Sequence, residues 1–181
     1  MNYPKKVTIG DITVRDGFQH EEKFIPTEAK LWVAEQLILA GFKHIEVSNF
    51  GNPKGMPQFK DADELFMKLK NSKLVKPLLK NVSLTAITIR ERAIERAINA
   101  YKEGYGPDRI LLMVSTSESH HRTNSGISLA EYWKMCEEWV PKARKAGLKV
   151  NGTVSTIWGC PLEGPTDMNK AIEFASRWFE I

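Results

Sequence analysis

The sequence repeats one pattern five times, and this repetition limits the fold more than any other feature. A short apolar segment, typical of a buried strand, is followed each time by a longer segment with helical periodicity. We predict strands over residues 7–14, 44–48, 82–87, 109–114 and 149–154. Each unit has about the thirty residues of a βαβ repeat. Because a helix connects each strand to the next, the strands are expected to be parallel.

Helix boundaries and loops indicate where functional residues collect. Thr27 and Ser128 are placed as helix N-caps, and Gly41, Gly104 and Gly147 mark helix ends. The long polar segments all follow strands, and they cover residues 49–59, 115–127 and 159–165. This asymmetry favours an α/β (β/α)8 TIM barrel, whose site lies at the carboxyl ends of its strands. A doubly wound sheet usually has a Gly-rich loop after its first strand, and none is present.

Five units do not close an eight-stranded barrel, which typically needs about 250 residues. We therefore predict that residues 1–181 form a single, partial TIM-barrel domain that supplies about the first five β/α units. The sequence is interpreted as part of a larger barrel or as a truncated gene product.

Composition excludes several classes of protein. With 42% hydrophobic and 27% charged residues, the chain is neither disordered nor fibrous. The net charge is +4, without a Lys/Arg block interleaved with aromatics, so no nucleic-acid partner is expected. No apolar run approaches the length of a membrane span, so no membrane partner is expected either. Two cysteines and no signal peptide favour a reducing, cytoplasmic location.

The end of the first predicted strand carries the strongest candidate site. Arg15 and Asp16 follow the apolar run directly, and Gln19 comes three residues later. Ligands of parallel α/β proteins bind at the carboxyl ends of strands. Asp16 offers oxygen to a hard cation, and Arg15 is suited to stabilise a developing oxyanion. The alternative is a structural Arg–Asp ion pair that closes a turn.

A second carboxylate lies inside the second predicted strand. Strand alternation puts Glu46 on the face opposite to Ile45 and Val47. If that face points into the barrel, the carboxylate needs a cation or a metal, and Arg15 is the nearest candidate. The alternative is a surface glutamate on an edge strand.

Thiols and imidazoles are weaker candidates. Cys160 lies in a loop after a strand, where we expect an accessible thiol, although a packing role is the alternative. Cys136 has core spacing on a helix and is interpreted as packing. The adjacent His120 and His121 make a poor metal clip, and His20 is interpreted as a loop residue.

Six stretches, taken together and in order, resemble a known family. They are residues 11–19, 25–30, 40–47, 53–58, 115–119 and 159–164. The first resembles the opening of the metal-dependent lyase and Claisen-type synthase superfamily of TIM barrels, which contains the pyruvate carboxyltransferase-like domain. The others resemble its hydroxymethylglutaryl-CoA lyase branch. The resemblance covers nearly the whole chain, as the N-terminal part of such a protein.

The resemblance implies roles for individual residues. Asp16 stands at the position of a metal-binding aspartate, and Arg15 at that of an arginine that stabilises an enolate. Glu46 resembles a carboxylate near that arginine, and Gln19 a residue lining the same pocket. Asn49 stands where a substrate-contacting serine is expected. The implied cofactor is a divalent cation, Mg²⁺ or Mn²⁺. The family's His-x-His pair, its asparagine ligand and its catalytic cysteine are absent from this chain.

The implied activity is metal-dependent cleavage of a 3-hydroxy-3-methylglutaryl-CoA-like acyl-CoA to a thioester and a keto acid. Two alternatives stay open. Asp11 and Thr13 are closer to the synthase branch, so a Claisen-type synthase, an aldolase or a carboxyltransferase acting on a 2-oxo acid is one. An inactive fragment, if the native chain ends at residue 181, is the other. By analogy with barrels of this type, the partners would be an acyl-CoA substrate and further copies of the chain.

Overall fold

The computed structural model describes residues 3–181 as five parallel strands joined by helices. The strands are β1 (Gly10–Asp11), β2 (His44–Asn49), β3 (Ser83–Ile87), β4 (Arg109–Ser115) and β5 (Lys149–Ser155). The helices are α1 (Thr27–Leu39), α2 (Ala62–Asn71), α3 (Glu91–Lys102), α4 (Glu118–Ser125), α5 (Leu129–Lys145) and α6 (Met168–Glu180). None of the helices described here is both long enough and apolar enough to cross a bilayer.

The strands lie side by side in chain order, β1-β2-β3-β4-β5, and every neighbouring pair is parallel. A doubly wound sheet reverses its strand order at a switch point. The described strands have no such reversal, as is usual in a barrel. The predicted strand–helix alternation and parallel pairing are confirmed, and each of β2 to β5 differs from its predicted range by one residue at one end.

The main core lies between the sheet and its helices. It joins buried strand residues such as Ile45, Leu84 and Ile110 to buried helix residues such as Ile94 and Tyr132. Cys136 is fully buried in this core, which confirms the packing interpretation.

At Gly152 in β5, the absence of a side chain lets α6 pack directly against the sheet. A Cβ atom at Gly152 would lie 2.1 Å from the indole of Trp178. That indole donates a hydrogen bond from Nε1 to the carbonyl of Thr153 at 3.2 Å. This close approach fixes the position of α6 on the last strand.

The first strand is much shorter than predicted. The prediction of a buried strand over residues 7–14 is wrong, because only Gly10–Asp11 pairs with β2, and Val7 and Ile9 are about 70% exposed. The Asp11 carboxylate accepts hydrogen bonds from the backbone N–H and the hydroxyl of Thr13. The chain bends there into a single π-helical turn, Thr13–Gly17. β1 pairs on one side only, so few backbone groups resist this bend.

The prediction of a continuous polar loop over residues 115–127 is also wrong, because α4 lies within it. The Ser117 hydroxyl caps the helix by accepting a hydrogen bond from the backbone N–H of His120 at 3.1 Å. Gly126 ends the helix in the left-handed conformation, with φ of 76°. Residues 115–127 are as polar as a typical loop, but the caps at Ser117 and Gly126 stabilise a helix between them.

The start of α1 also differs from the prediction, because Pro26 rather than Thr27 is the N-cap residue. The hydroxyl of Thr27 instead donates to Asp61 at 2.9 Å. Asp61 also accepts from the ammonium group of Lys30, which is 1% exposed. These contacts join α1 to the start of α2. By contrast, the predicted cap at Ser128 is confirmed and forms a full capping box with Glu131.

Candidate functional site

Arg15 and Glu46 form the centre of the candidate site. Arg15 comes from the π-helical turn after β1, and Glu46 comes from the middle of β2. The guanidinium donates from Nε at 2.8 Å and from Nη2 at 2.5 Å to Oε2 of Glu46. Ile45 and Val47 are buried, as strand alternation predicts, and their burial turns the Glu46 side chain to the other face. The predicted pairing of Glu46 with Arg15 is present.

Asp16 completes a short row of three charged groups. Its Oδ1 accepts a hydrogen bond from Nη1 of Arg15 at 2.5 Å. The Asp16 side chain is 43% exposed, whereas those of Arg15 and Glu46 are 13% and 16% exposed. A largely buried cation therefore lies between two carboxylates, and one of them, Asp16, is substantially exposed to solvent. The ion pair considered in the sequence analysis exists and coexists with an available carboxylate oxygen.

The donor set of this region suits one ligand position of a divalent cation. Asp16 supplies a hard carboxylate oxygen, which Mg²⁺ and Mn²⁺ accept. Between residues 3 and 181, no three His, Cys, Asp or Glu side chains converge as a metal site would require. Asp16 alone would fill one position of a metal site, and an ion bound there would need further ligands.

Gln19 and Asn49 are placed differently from one another. Gln19 is half-buried directly after the turn that carries Arg15 and Asp16. Asn49 lies at the end of β2 and is 2% exposed. Its Oδ1 accepts from the backbone N–H of Gly51 at 2.7 Å, and its Nδ2 contacts the Met56 sulfur at 3.0 Å. Asn49 therefore closes the turn into the next loop and forms part of a groove wall rather than part of the charged row.

The carboxyl ends of β4 and β5 carry a second polar cluster that sequence reasoning missed. The Ser115 hydroxyl lies 2.7 Å from that of Thr156, and the hydroxyls of Thr116 and Thr166 both donate to the Thr156 carbonyl. Thr156 has φ of 58°, a rare conformation for a β-branched residue. Strained residues of this kind cluster at functional sites. The only advance signal was the density of Ser and Thr after these strands.

His121 was interpreted from the sequence as a residue of a polar loop, and that placement is wrong because it lies buried in α4. It is 2% exposed, its ring packs edge-on against Tyr132, and its Nε2 has no hydrogen-bond partner within residues 3–181. Burial lowers the pKa of His121, and the neighbouring His120 and Arg122 lower it further against the opposing effect of Glu118. Its imidazole lines a cavity of about 10 Å³. The other lining residues are Ile89, Met113, Ser115, Asn124, Ser125 and Ser155.

The expectation of an accessible thiol at Cys160 is wrong, because the residue is only 5% exposed. Backbone hydrogen bonds in both directions between Cys160 and Gly164 fold the loop over the sulfur. Burial raises the pKa of the Cys160 thiol, but hydrogen bonds from the Ser117 side chain and from the backbone N–H groups of Leu162 and Glu163 bring it below its ordinary value. The loop thus encloses a thiol whose ionisation is favoured.

Comparison with known proteins decides the family. Residues 6–181 match the family model described as HMGL-like. The chain belongs to the HMGL-like family. It is 32% identical over 181 residues to the hydroxymethylglutaryl-CoA lyase YngG of Bacillus subtilis, a match that covers all of this chain and 56% of that protein. It is 26% identical to human mitochondrial hydroxymethylglutaryl-CoA lyase over 178 residues, 98% of this chain and 51% of that protein.

Solved structures place the fold within the same family. The crystal structure of the B. subtilis HMG-CoA lyase matches with a TM-score of 0.85 at 30% identity, over 99% of this chain and 56% of that one. An HMG-CoA lyase from Acinetobacter baumannii, in complex with coenzyme A and 3-methylmalate, matches with a TM-score of 0.84 at 25% identity, over 96% of this chain and 52% of that one. The five strands are therefore the half-barrel of an HMGL-like TIM barrel, as predicted. The chain spans about half the length of the curated relatives it matches.

Proposed function

We propose that the protein carrying this chain is a divalent-metal-dependent carbon–carbon lyase that cleaves a 3-hydroxy-3-methylglutaryl-CoA-like substrate to a thioester and a keto acid. The observation that supports it most is the position of Arg15. Its guanidinium is fixed by Glu46 and directed beside Asp16 at the carboxyl end of the first two strands. Catalytic groups of TIM barrels lie at this end.

The reaction requires removal of a hydroxyl proton, cleavage of a carbon–carbon bond, and stabilisation of the enolate that leaves. Negative charge develops on the thioester oxygen of that enolate. A preoriented guanidinium lowers the free energy of such an anion because it needs no reorganisation as the charge appears. Glu46 orients Arg15 and balances its charge, so we assign Glu46 a positioning role and Arg15 the catalytic one.

Asp16 would provide one oxygen ligand to the metal ion. When bound, such an ion polarises substrate oxygens and lowers the pKa of a hydroxyl group. We assign Gln19, which follows the same turn, to the lining of the acyl pocket. The remaining ligands, the general base and the general acid are expected outside residues 3–181.

The test is thioester release from a panel of 3-hydroxy-acyl-CoA substrates by the full native polypeptide, titrated with Mg²⁺ and Mn²⁺. In an Asp16→Asn variant we expect the rate to fall by about 100-fold or more and the metal requirement to rise. Glu21→Gln, which removes an exposed carboxylate from the same loop, is the matched control and should behave like the native protein.

Two results would contradict the proposal. Cleavage that does not depend on Mg²⁺ or Mn²⁺ would contradict the role of Asp16 as a metal ligand. Absence of cleavage, combined with condensation or carboxyl transfer on a 2-oxo acid, would favour a synthase, aldolase or carboxyltransferase. One feature of the chain favours that second class, namely Asp11 and Thr13, which are closer to the synthase branch. A 2-oxo acid panel measured in parallel separates the two classes.

A further inference from the structure

A small cavity of about 10 Å³ lies between α4 and the carboxyl ends of β4 and β5. Three of its seven lining residues come from α4, two from β4 and one from β5, and the seventh is Ile89. Five of the seven have polar side chains. Polar groups thus meet where a helix packs on two strand ends, and each buried one needs a hydrogen-bond partner.

The cavity lies on the sheet face that the candidate site also uses. Side chains alternate between the two faces of a strand. Because Val114 and Val154 pack into the core between the sheet and its helices, the next residues, Ser115 and Ser155, are on the other face. Glu46 lies on that same face, which is the interior of a closed barrel. A molecule bound in the cavity would therefore belong to the inner wall of the barrel.

His121 brings a polar atom without a partner to this cavity. The residue is 2% exposed, and its Nε2 has no hydrogen-bond partner among residues 3–181. Native structures rarely leave such an atom unpaired, because its lost hydration costs free energy. Burial lowers the pKa of His121, so the imidazole is neutral near pH 7. The Nε2 of a neutral imidazole either donates or accepts a hydrogen bond, and a water molecule can serve as the partner in both cases.

Ser155 brings an acceptor to the cavity from the strand side. Its hydroxyl donates to the carbonyl of Val114 at 3.3 Å, and no donor within residues 3–181 is directed at its oxygen. The lone pairs of that oxygen therefore remain available. Ser125 differs, because its hydroxyl donates to the carbonyl of His121 at 2.8 Å and accepts from the N–H of Ile127 at 3.3 Å. Ser155 is thus the better second partner for a molecule bound to His121.

We propose that the cavity binds one water molecule, which bridges Nε2 of His121 and the hydroxyl oxygen of Ser155. The volume is near the minimum of roughly 10–15 Å³ that one buried water requires, so a larger ligand does not fit. None of the lining residues is a carboxylate or a thiol, so a metal ion would find a single imidazole ligand. The water joins α4 to β5 on the inner wall, and its binding does not depend on the proposed reaction.

The test is a double-mutant cycle on the full native polypeptide, measured by urea unfolding. His121→Phe keeps an aromatic ring against Tyr132 but removes the nitrogen, and Ser155→Ala removes the acceptor. His121 and Ser155 share no direct hydrogen bond within the described chain, so coupling between them reports a bridging molecule. We expect Ser155→Ala to lower the folding equilibrium constant about 3- to 10-fold more in the native background than in the His121→Phe background.

Thr153→Val is the matched control. The Thr153 hydroxyl makes the equivalent hydrogen bond two residues earlier on β5, to the carbonyl of Leu112 at 3.1 Å, and Thr153 does not line the cavity. Removing this hydroxyl should lower the folding equilibrium constant by the same factor in both backgrounds.

A high-resolution crystal structure of the native polypeptide is the second measurement, and it does not require the variants to fold. We expect one ordered water within hydrogen-bond distance of both His121 Nε2 and Ser155 Oγ. An equal effect of Ser155→Ala in both backgrounds, or a crystal structure without that water, overturns the inference. Neither result changes the lyase proposal, because thioester release tests that proposal separately.

Discussion

Arg15 donates two hydrogen bonds to a single oxygen of Glu46, from Nε at 2.8 Å and from Nη2 at 2.5 Å. This leaves Nη1 to hold Asp16. The guanidinium is thereby fixed at three nitrogens by one residue from the turn after β1 and one from the middle of β2. A lysine would not reproduce this arrangement, because its ammonium group is a single point of charge.

Glu46→Gln should lower both stability and activity. The amide keeps the shape of the carboxylate but loses the charge that balances Arg15, so we expect a loss of about 1–3 kcal/mol in the free energy of unfolding. The kcat for thioester cleavage should fall at least about tenfold, with a smaller change in KM, because the misplaced guanidinium acts mainly on the transition state. Urea denaturation and steady-state kinetics measure the two effects. Unchanged kcat in a folded variant would contradict the positioning role.

Lys30→Met should destabilise the fold without altering the contacts among Arg15, Asp16 and Glu46. Lys30 is 1% exposed and donates to both Asp61 oxygens, at 2.8 and 3.1 Å. Removing the cation leaves a buried carboxylate with the Thr27 hydroxyl but without a balancing charge, which costs about 3–5 kcal/mol. Lys68→Met, at an exposed pair with Glu28, is the control and should change the unfolding midpoint much less. If both variants unfold at the same urea concentration, the buried pair does not stabilise the protein.

Stability should depend on pH through His121. Burial lowers the pKa of this imidazole in the folded state from its ordinary value of 6.5. The unfolded chain therefore binds the proton first, so this contribution is complete above about pH 6.5 and is lost as the pH falls towards the folded-state pKa. In His121→Leu the unfolding free energy should fall less between pH 7.5 and 5.5 than in the native protein. His20→Leu, at an exposed position, controls for loss of one imidazole. Parallel pH profiles for native protein and His121→Leu would contradict the prediction.

The two cysteines should differ in reactivity. Burial raises the pKa of Cys136 to about 12, whereas the pKa of Cys160 is lowered by its hydrogen bonds despite the opposing effect of burial. The thiolate is the reactive form, so, although both thiols are buried, iodoacetamide near neutral pH should modify Cys160 faster than Cys136 in the folded protein. Peptide mass spectrometry of native, Cys160→Ser and Cys136→Ala proteins measures this. Equal labelling of both thiols in the folded protein would be inconsistent with it.

Several features were predictable from the sequence because their causes are local. Hydrophobic periodicity placed β2 to β5 nearly correctly, and the Ser128–Glu131 spacing marked the start of α5. The alternation of side chains along a strand is also local, and it placed Glu46 on the opposite face from Ile45 and Val47. Parallel pairing followed from the helical connections.

Tertiary structure decided what depends on distant contacts. The apolar residues before β1 read as a buried strand, yet β1 pairs on one side only and Asp11 bends the chain after two paired residues. His121 is buried because α4, which forms within a polar segment of the sequence, packs its ring against Tyr132. The distances within the Arg15–Glu46 pair needed both chain segments in place. Sequence by itself determined the order of elements and the residue types at the strand ends, since these depend on local periodicity. The burial, charge balance and partners of those residues depend on packing between segments far apart in the chain.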